Sequence, residues 1–199
     1  MPFIERCDAP ELTEYQATLR WRLEMELFLR GRQAPADPQT RRLLSAYLLL
    51  VDKTAREYMA ARNSLIQYTN SSNETALYVE GIGRFETCVN AVTRSLRLLE
   101  RLKGRRGAPA LQRVDRKLAF LWMDDVFAIR NAIEHIDSEI LSGGIRDDEP
   151  HLLMVEEPGT HLSLAGSEWA LTALHGTVNA LYKAGLALIA ALPPPEAEN

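Results

Sequence analysis

One histidine of the chain stands five positions after an arginine, inside a segment whose apolar residues have helical spacing. The segment runs Arg130-Asn131-Ala132-Ile133-Glu134-His135. Histidine transfers protons near neutral pH, and arginine offers a planar, charged fork to phosphate oxygens. RNA carries its own nucleophile, the 2′-hydroxyl, so its cleavage needs only proton transfer and stabilisation of charge at phosphorus. The pair Arg130 and His135 fits that chemistry, and Asn131 could orient His135 or a phosphate.

The same spacing occurs a second time, from Arg146 to His151. Two glycines precede this second copy and Pro150 lies within it, which bars a regular helix. The first copy lies in an uninterrupted helical pattern. The local sequence therefore favours Arg130 and His135 as the pair that could do chemistry.

The helix that carries the pair has an apolar stripe, which predicts a buried face formed by Trp122, Val126, Ile129, Ile133, Ile136 and Ile140. At about 100° per residue, His135 lies roughly 140° from the middle of that stripe and Arg130 roughly 80° from it. Both are predicted to lie outside the core. Phe127, Asn131 and Ser138 fall on the outer face. An aromatic residue such as Phe127 on an otherwise polar face indicates contact with another protein surface. We therefore predict a homodimer whose interface contains Phe127 and Ser138.

An arginine followed by a polar residue, three further positions and a histidine resembles the motif of HEPN (higher eukaryotes and prokaryotes nucleotide-binding) ribonucleases. The resemblance implies a helical bundle, RNA as the substrate, and a homodimer in which both motifs face one cleft. Such a protein could act as a toxin or defence effector, held in check by an antitoxin or another regulatory protein. HEPN toxins controlled by a nucleotidyltransferase often carry a tyrosine two positions after the histidine. This chain has Asp137 there, so that route of control is not predicted.

A second interpretation stays open beside the enzymatic one. Arg130 and Glu134 have the spacing of an ordinary ion pair on a helix surface, and an exposed histidine is usually only solvated. The alternative is a HEPN-like module that binds RNA or protein without cutting. For the enzymatic reading, a histidine and an arginine with no clear cluster of metal ligands predict an endoribonuclease that uses no metal or other cofactor.

The rest of the sequence predicts the all-α bundle that would position the pair, with four to five main helices in a single domain over residues 1–199. Helices are expected over 8–30, from 38 to about 68, through 85–99, through 122–140 and over 167–192. Asp8 and Ser167 are the expected caps of the first and last helices. Residues 151–156 and 160–164 predict a small β-hairpin before the last helix. The first helix would be an accessory to the bundle, and residues 193–199 a frayed tail.

Charge restricts where RNA could bind. The chain has 23 Lys and Arg against 27 Asp and Glu, a net charge of -4, so affinity for phosphate must come from a local patch. Residues 84–117 contain ten basic and three acidic side chains. Within them, the predicted RNA-binding residues are Arg84, Lys103, Arg105 and Arg106.

Cysteine usage and apolar runs bear on the compartment. Cys7 and Cys88 are the only cysteines, and their positions match neither a disulfide framework nor a cysteine zinc site. We find no signal-peptide pattern and no apolar run of the roughly 20 residues that a membrane span requires. A cytoplasmic protein without membrane attachment is expected.

Overall fold

The computed structural model of the chain describes residues 4–71, 74–146, 149–156 and 158–195. This part of the chain forms a helical bundle with one small antiparallel sheet before the last helix, which confirms the predicted fold class. Its elements, in chain order, are α1 (Leu19–Phe28), α2 (Pro38–Asn70), α3 (Thr75–Leu102), α4 (Arg113–Ala119), α5 (Met123–Ser142), β1 (Met154–Glu156), β2 (His161–Leu164), β3 (Ser167–Ala170) and α6 (Leu171–Ala190).

The two longest helices, α2 and α3, form an antiparallel pair that is the centre of the bundle. Asp37 begins α2 by accepting a hydrogen bond from the Thr40 amide at 2.8 Å, and Pro38 occupies the first helical position, as the sequence predicted. Gly81 lets the two helices approach closely, because a Cβ at this position would lie 2.8 Å from the Leu65 side chain. The apolar stripes predicted for both helices are buried: Leu44, Leu48, Val51, Ala55, Tyr58 and Leu65 on α2, and Phe85, Val89, Val92, Leu96 and Leu99 on α3.

The predicted N-terminal helix over 8–30 is wrong in its first half, because α1 begins only at Leu19. The Asp8 amide donates to the carbonyl of Gly159, and the Asp8 carboxylate pairs with Arg6 instead of capping a helix. Tyr58 donates its hydroxyl hydrogen to the carbonyl of Pro10. These long-range contacts hold the segment in a non-helical path across the bundle, and they outweigh its local capping pattern.

Asp52, a buried residue of α2, holds the start of α1. Its carboxylate accepts hydrogen bonds from the amides of Leu19 at 2.7 Å and Arg20 at 3.1 Å, and from the Tyr15 hydroxyl at 3.3 Å. Burial, and next the charge of Asp52, raises the pKa of Tyr15, so its hydroxyl keeps the proton that it donates. Thr18 adds the helix's own cap by accepting from the amide of Trp21 at 3.2 Å.

The sheet has one strand more than the predicted hairpin. Strands β1 and β2 pair as the sequence predicted, with Val155 opposite Leu162. Ser167, expected to cap the last helix, instead begins β3, and α6 starts at Leu171. Ala165 and Gly166 both have positive φ, 47° and 73°, as in the two-residue turns that join antiparallel strands. That turn directs Ser167 back along β2 and prevents a helix from starting there.

The remaining elements pack around the central pair. Helix α6 contacts α2, α4 and α1, while α5 lies between α3 and the sheet. Pro193, assigned to the frayed tail, accepts a hydrogen bond from the amide of Gln33, and residues 196–199 lie outside the described residues. Across the described ranges, no helix combines the length and the apolar character that crossing a membrane would need.

Candidate functional site

Helix α5 carries the Arg130/His135 motif and is packed in the core only over its first half. Val126 and Ile129 are fully buried, as predicted, but Ile140 at the end of the predicted stripe is 51% exposed. Leu141 is 88% exposed, and Gly143 ends the helix in the left-handed conformation. The second half of α5 therefore projects progressively from the bundle: Ile133 and Ile136 are still partly buried against the core, whereas Ile140 and Leu141 lack cover from the described part of the chain.

Arg130 is largely covered, with 19% of its side chain exposed. Its guanidinium makes an ion pair with Glu134 one turn further along, and a second, long hydrogen bond of 3.5 Å runs from Arg130 Nη1 to Asn131 Oδ1. A carboxylate thus occupies the fork that a phosphate would use. Binding a phosphate there requires Glu134 to give way or to share the guanidinium.

His135 is exposed, and its imidazole has no hydrogen-bond partner among the described residues. Five residues separate it from Arg130, which at 100° and 1.5 Å per residue amounts to about 140° around the helix and about 7.5 Å along it. One α5 helix therefore directs the two side chains to different sides. A single phosphate would contact both more readily if two copies of α5 faced each other.

Phe127 was predicted to lie on a free outer face, but it is half-buried against α3. The guanidinium carbon of Arg97 lies 5.4 Å from the centre of the Phe127 ring, within the range of a cation–π contact. The covered arc of α5 is wider than the predicted stripe because the helix is packed on two sides, by α3 and by the sheet. Phe127 therefore has a partner within its own chain, and its aromatic character no longer requires a second protomer. Ser138 is exposed on the projecting half.

A groove of about 610 Å³ lies where the end of α3, helix α4 and the start of α5 meet. Its floor is apolar and partly aromatic, and four cationic side chains and one acidic side chain, that of Glu100, surround it. The residues that give it this character are Arg97, Lys103, Arg116, Lys117, Phe120 and Phe127. Phe127 is one helical turn before Arg130, so the groove opens next to the motif.

The four predicted RNA-binding residues do not form one site, because Arg84 lies far from the loop that holds Lys103, Arg105 and Arg106. Arg84 makes ion pairs with Glu57 and Glu80, which raise its pKa, and it lies about 28 Å from Lys103 along α3 at 1.5 Å per residue. Lys103 lines the groove and pairs with Glu100. The neighbouring Arg105 donates to Gln39, and the carbonyl of Arg106 accepts from Thr40, so this loop is docked against the start of α2.

The groove adds Arg97, Arg116, Lys117 and Phe120 to the predicted set. The basic composition of residues 84–117 pointed to the three cations as a group, but nothing local to the sequence selected them. They converge because α4 packs against α6 while α5 packs against α3, which places the cations of α3 and α4 around one groove. The spacing of basic residues within each helix does not reveal that arrangement.

The other candidate groups of the sequence do not form a second site in the described ranges. His151, in the second Arg-x4-His sequence, lies in a non-helical segment, as predicted. His175 contacts the carbonyl of Glu11 at 3.1 Å and fixes the N-terminal segment. Within the described ranges, no group of three or more His, Cys, Asp or Glu side chains is arranged to hold a metal ion.

Comparison with known proteins does not identify the chain. No protein-family model, curated protein or solved structure matches it. The resemblance to HEPN ribonucleases therefore depends on the motif in α5 and on the helical layout alone.

Proposed function

We propose that this chain is a cytoplasmic, metal-independent endoribonuclease of HEPN type that acts as a homodimer, with a role as a toxin or defence effector under the control of an antitoxin or another regulatory protein. The observation that carries the proposal is the position of the motif. His135 is exposed and without a hydrogen-bond partner in the described part of the chain, on the same uninterrupted helix as Arg130. A general base or acid must be within reach of the substrate, and an exposed histidine meets that condition.

In the proposed reaction the 2′-hydroxyl oxygen attacks the adjacent phosphorus, and the bond from phosphorus to the 5′-oxygen breaks. His135 accepts the proton of the 2′-hydroxyl or delivers a proton to the departing 5′-oxygen, and a water molecule makes the other of these two transfers. Arg130 stabilises the charge on the non-bridging oxygens. Asn131, exposed and next to Arg130, contacts the phosphate or orients His135. The products are a 2′,3′-cyclic phosphate and a 5′-hydroxyl.

The products and requirements of cleavage test this chemistry. Purified protein should cut RNA in the presence of EDTA, leave 2′,3′-cyclic phosphate ends, and fail to cut RNA in which the nucleotide 5′ of each cut carries 2′-deoxyribose. Sequencing gels with end-specific enzymatic treatment would identify the ends. Activity that disappears in EDTA and returns with magnesium would contradict the proposal and direct attention to Asp124, Asp125 and Glu134 as metal ligands.

The homodimer is the second part of the proposal, and the projecting half of α5 is the surface that supports it. Ser138, Ile140 and Leu141 are exposed there, close to His135 in sequence. Two such halves packed against each other would bury apolar surface and bring the two motifs together. Of the two predicted interface residues, Ser138 lies on this surface, whereas Phe127 lies in the first half of α5 in contact with Arg97.

Light scattering at micromolar concentration tests the interface. Wild-type protein is expected to have the mass of a dimer, and Leu141→Glu that of a monomer, because a carboxylate would be buried without a partner. Leu152→Glu is the matched control, since Leu152 is 70% exposed but lies outside α5, and this variant should remain dimeric. A monomeric wild type would contradict the shared cleft.

A second candidate function is a module that binds without cutting. The ion pair between Arg130 and Glu134 favours it, because this contact occupies the guanidinium that catalysis would need. Under this alternative, RNA or protein would bind with the same affinity to the wild type and to His135→Ala, and no RNA would be cut by either.

A further inference from the structure

We propose that the groove between α3, α4 and α5 binds a single-stranded segment of RNA, with phosphates on Arg97, Arg116 and Lys117 and an unpaired base against Phe120. The inference extends the proposed function, since it assigns the site that would lead a substrate strand to the motif. It rests on the charge balance of the groove, on its floor and on its position.

The charge of the groove is largely uncompensated. Of its four cations, Lys103 pairs with Glu100, whereas Arg97, Arg116 and Lys117 have no ion pair among the described residues. Cations that lack carboxylate partners can exchange their counterions for phosphate, which provides the salt-dependent part of nucleic-acid affinity. This local excess of positive charge stands against a net charge of -4 for the whole chain.

The aromatic floor of the groove favours a ligand with exposed bases over one that offers phosphates alone. Phe120, Met123 and Phe127 are each half-buried and line the groove, so part of each remains open to a ligand. Arg97 already lies over the Phe127 ring, which holds its guanidinium at the edge of the groove. Aromatic side chains stack on bases whose faces are free, as in a single strand, whereas a duplex presents only its grooves and backbone.

The position of the groove would allow a bound strand to extend along α5 to the motif. Phe127 lines the groove, and Arg130 follows it by one turn of α5, a rise of about 4.5 Å at 1.5 Å per residue. A strand that lies over Phe120 and Phe127 would continue along α5 toward Arg130. The volume, about 610 Å³, lies within the roughly 300–1,000 Å³ that is usual for small-ligand sites.

Binding is best measured in the full-length His135→Ala protein, so that RNA stays intact, by fluorescence anisotropy with a labelled single-stranded oligouridine. Arg116→Glu and Lys117→Glu are each expected to raise the Kd about tenfold and to flatten its dependence on salt. Phe120→Ala should weaken binding of the single strand severalfold, with the salt dependence unchanged, and should leave binding of an RNA duplex of equal length unaffected.

Arg56→Glu is the charge-matched control, because Arg56 is exposed on α2 and does not line the groove. The Kd of this variant for RNA should change less than twofold.

Equal Kd values for all four variants would contradict the proposal that RNA binds in this groove. Preferential binding to phosphatidylglycerol vesicles over RNA would also contradict it. That result would indicate that the basic surface binds a membrane, with the exposed Val114, Leu118 and Trp122 contacting the lipid. If the nuclease proposal is wrong but the groove binds RNA, the wild type will cut no RNA while the groove variants still lose affinity for RNA. Wild-type cleavage that the groove variants leave unchanged would instead reject the groove alone.

Discussion

Replacing His135 with alanine is expected to lower the rate of RNA cleavage by about 10²–10⁴-fold, the usual contribution of a positioned general acid or base. His135 is exposed and makes no hydrogen bond within the described part of the chain, so its loss should leave the stability of the bundle unchanged. The measurement is the single-turnover rate on a labelled RNA, together with the thermal midpoint of each variant.

The second Arg-x4-His sequence offers a matched control. His151 is also an exposed histidine, but it lies outside any helix, and His151→Ala should cleave RNA at the wild-type rate. Arg130→Lys should lose most activity, because an ammonium group cannot replace the bidentate fork of arginine. If His135→Ala and His151→Ala proved equally active, the motif in α5 would have no catalytic role.

Asp52→Ala is expected to reduce the free energy of unfolding by about 3 kcal/mol, because it leaves buried donors without an acceptor. Asp52 is 3% exposed, and it accepts from two amides at the start of α1 and from the Tyr15 hydroxyl. Asp52→Asn retains one carbonyl oxygen and should lose less. Urea denaturation followed by circular dichroism would measure both changes.

Thr18→Ala is the control for this prediction, since Thr18 caps the same end of α1 through an exposed hydrogen bond to the amide of Trp21. It should cost only about 1 kcal/mol, the typical value of an N-cap. Equal losses for Asp52→Ala and Thr18→Ala would mean that the contact between α2 and α1 contributes no more than the local cap.

Periodicity and capping were sufficient to predict the central part of the bundle. The stripe from Leu44 to Leu65 on α2 is long and regular, and Asp37-Pro38 begins the helix as predicted. The start of the chain and the last strand could not be predicted in this way. Asp8 is held by Gly159, and Ser167 follows a turn in which Ala165 has positive φ. In both cases contacts with distant or neighbouring strands outweigh a local helix signal.

The candidate site was predicted in part. The angular position of His135 relative to the apolar stripe correctly predicted its exposure, because that angle depends only on the helix that carries it. Phe127 was assigned to the wrong surroundings, because its environment is created by Arg97 on another helix. The groove also depends on how α4 packs against α6 and α5 against α3, which no spacing within one segment encodes.

The contacts that hold the N-terminal segment also constrain the order in which the molecule assembles. Residues 8–11 are fixed by Tyr58, Gly159 and His175, which follow them at large separations along the chain. During synthesis on the ribosome Tyr58 emerges early, but Gly159 and His175 emerge late, so the segment cannot be fully docked until most of the protein has been made. Contacts of such long sequence separation form slowly. Closure of this segment over the bundle is therefore a late event in folding, since a chain that ends before Gly159 lacks the partners of both Asp8 and Glu11.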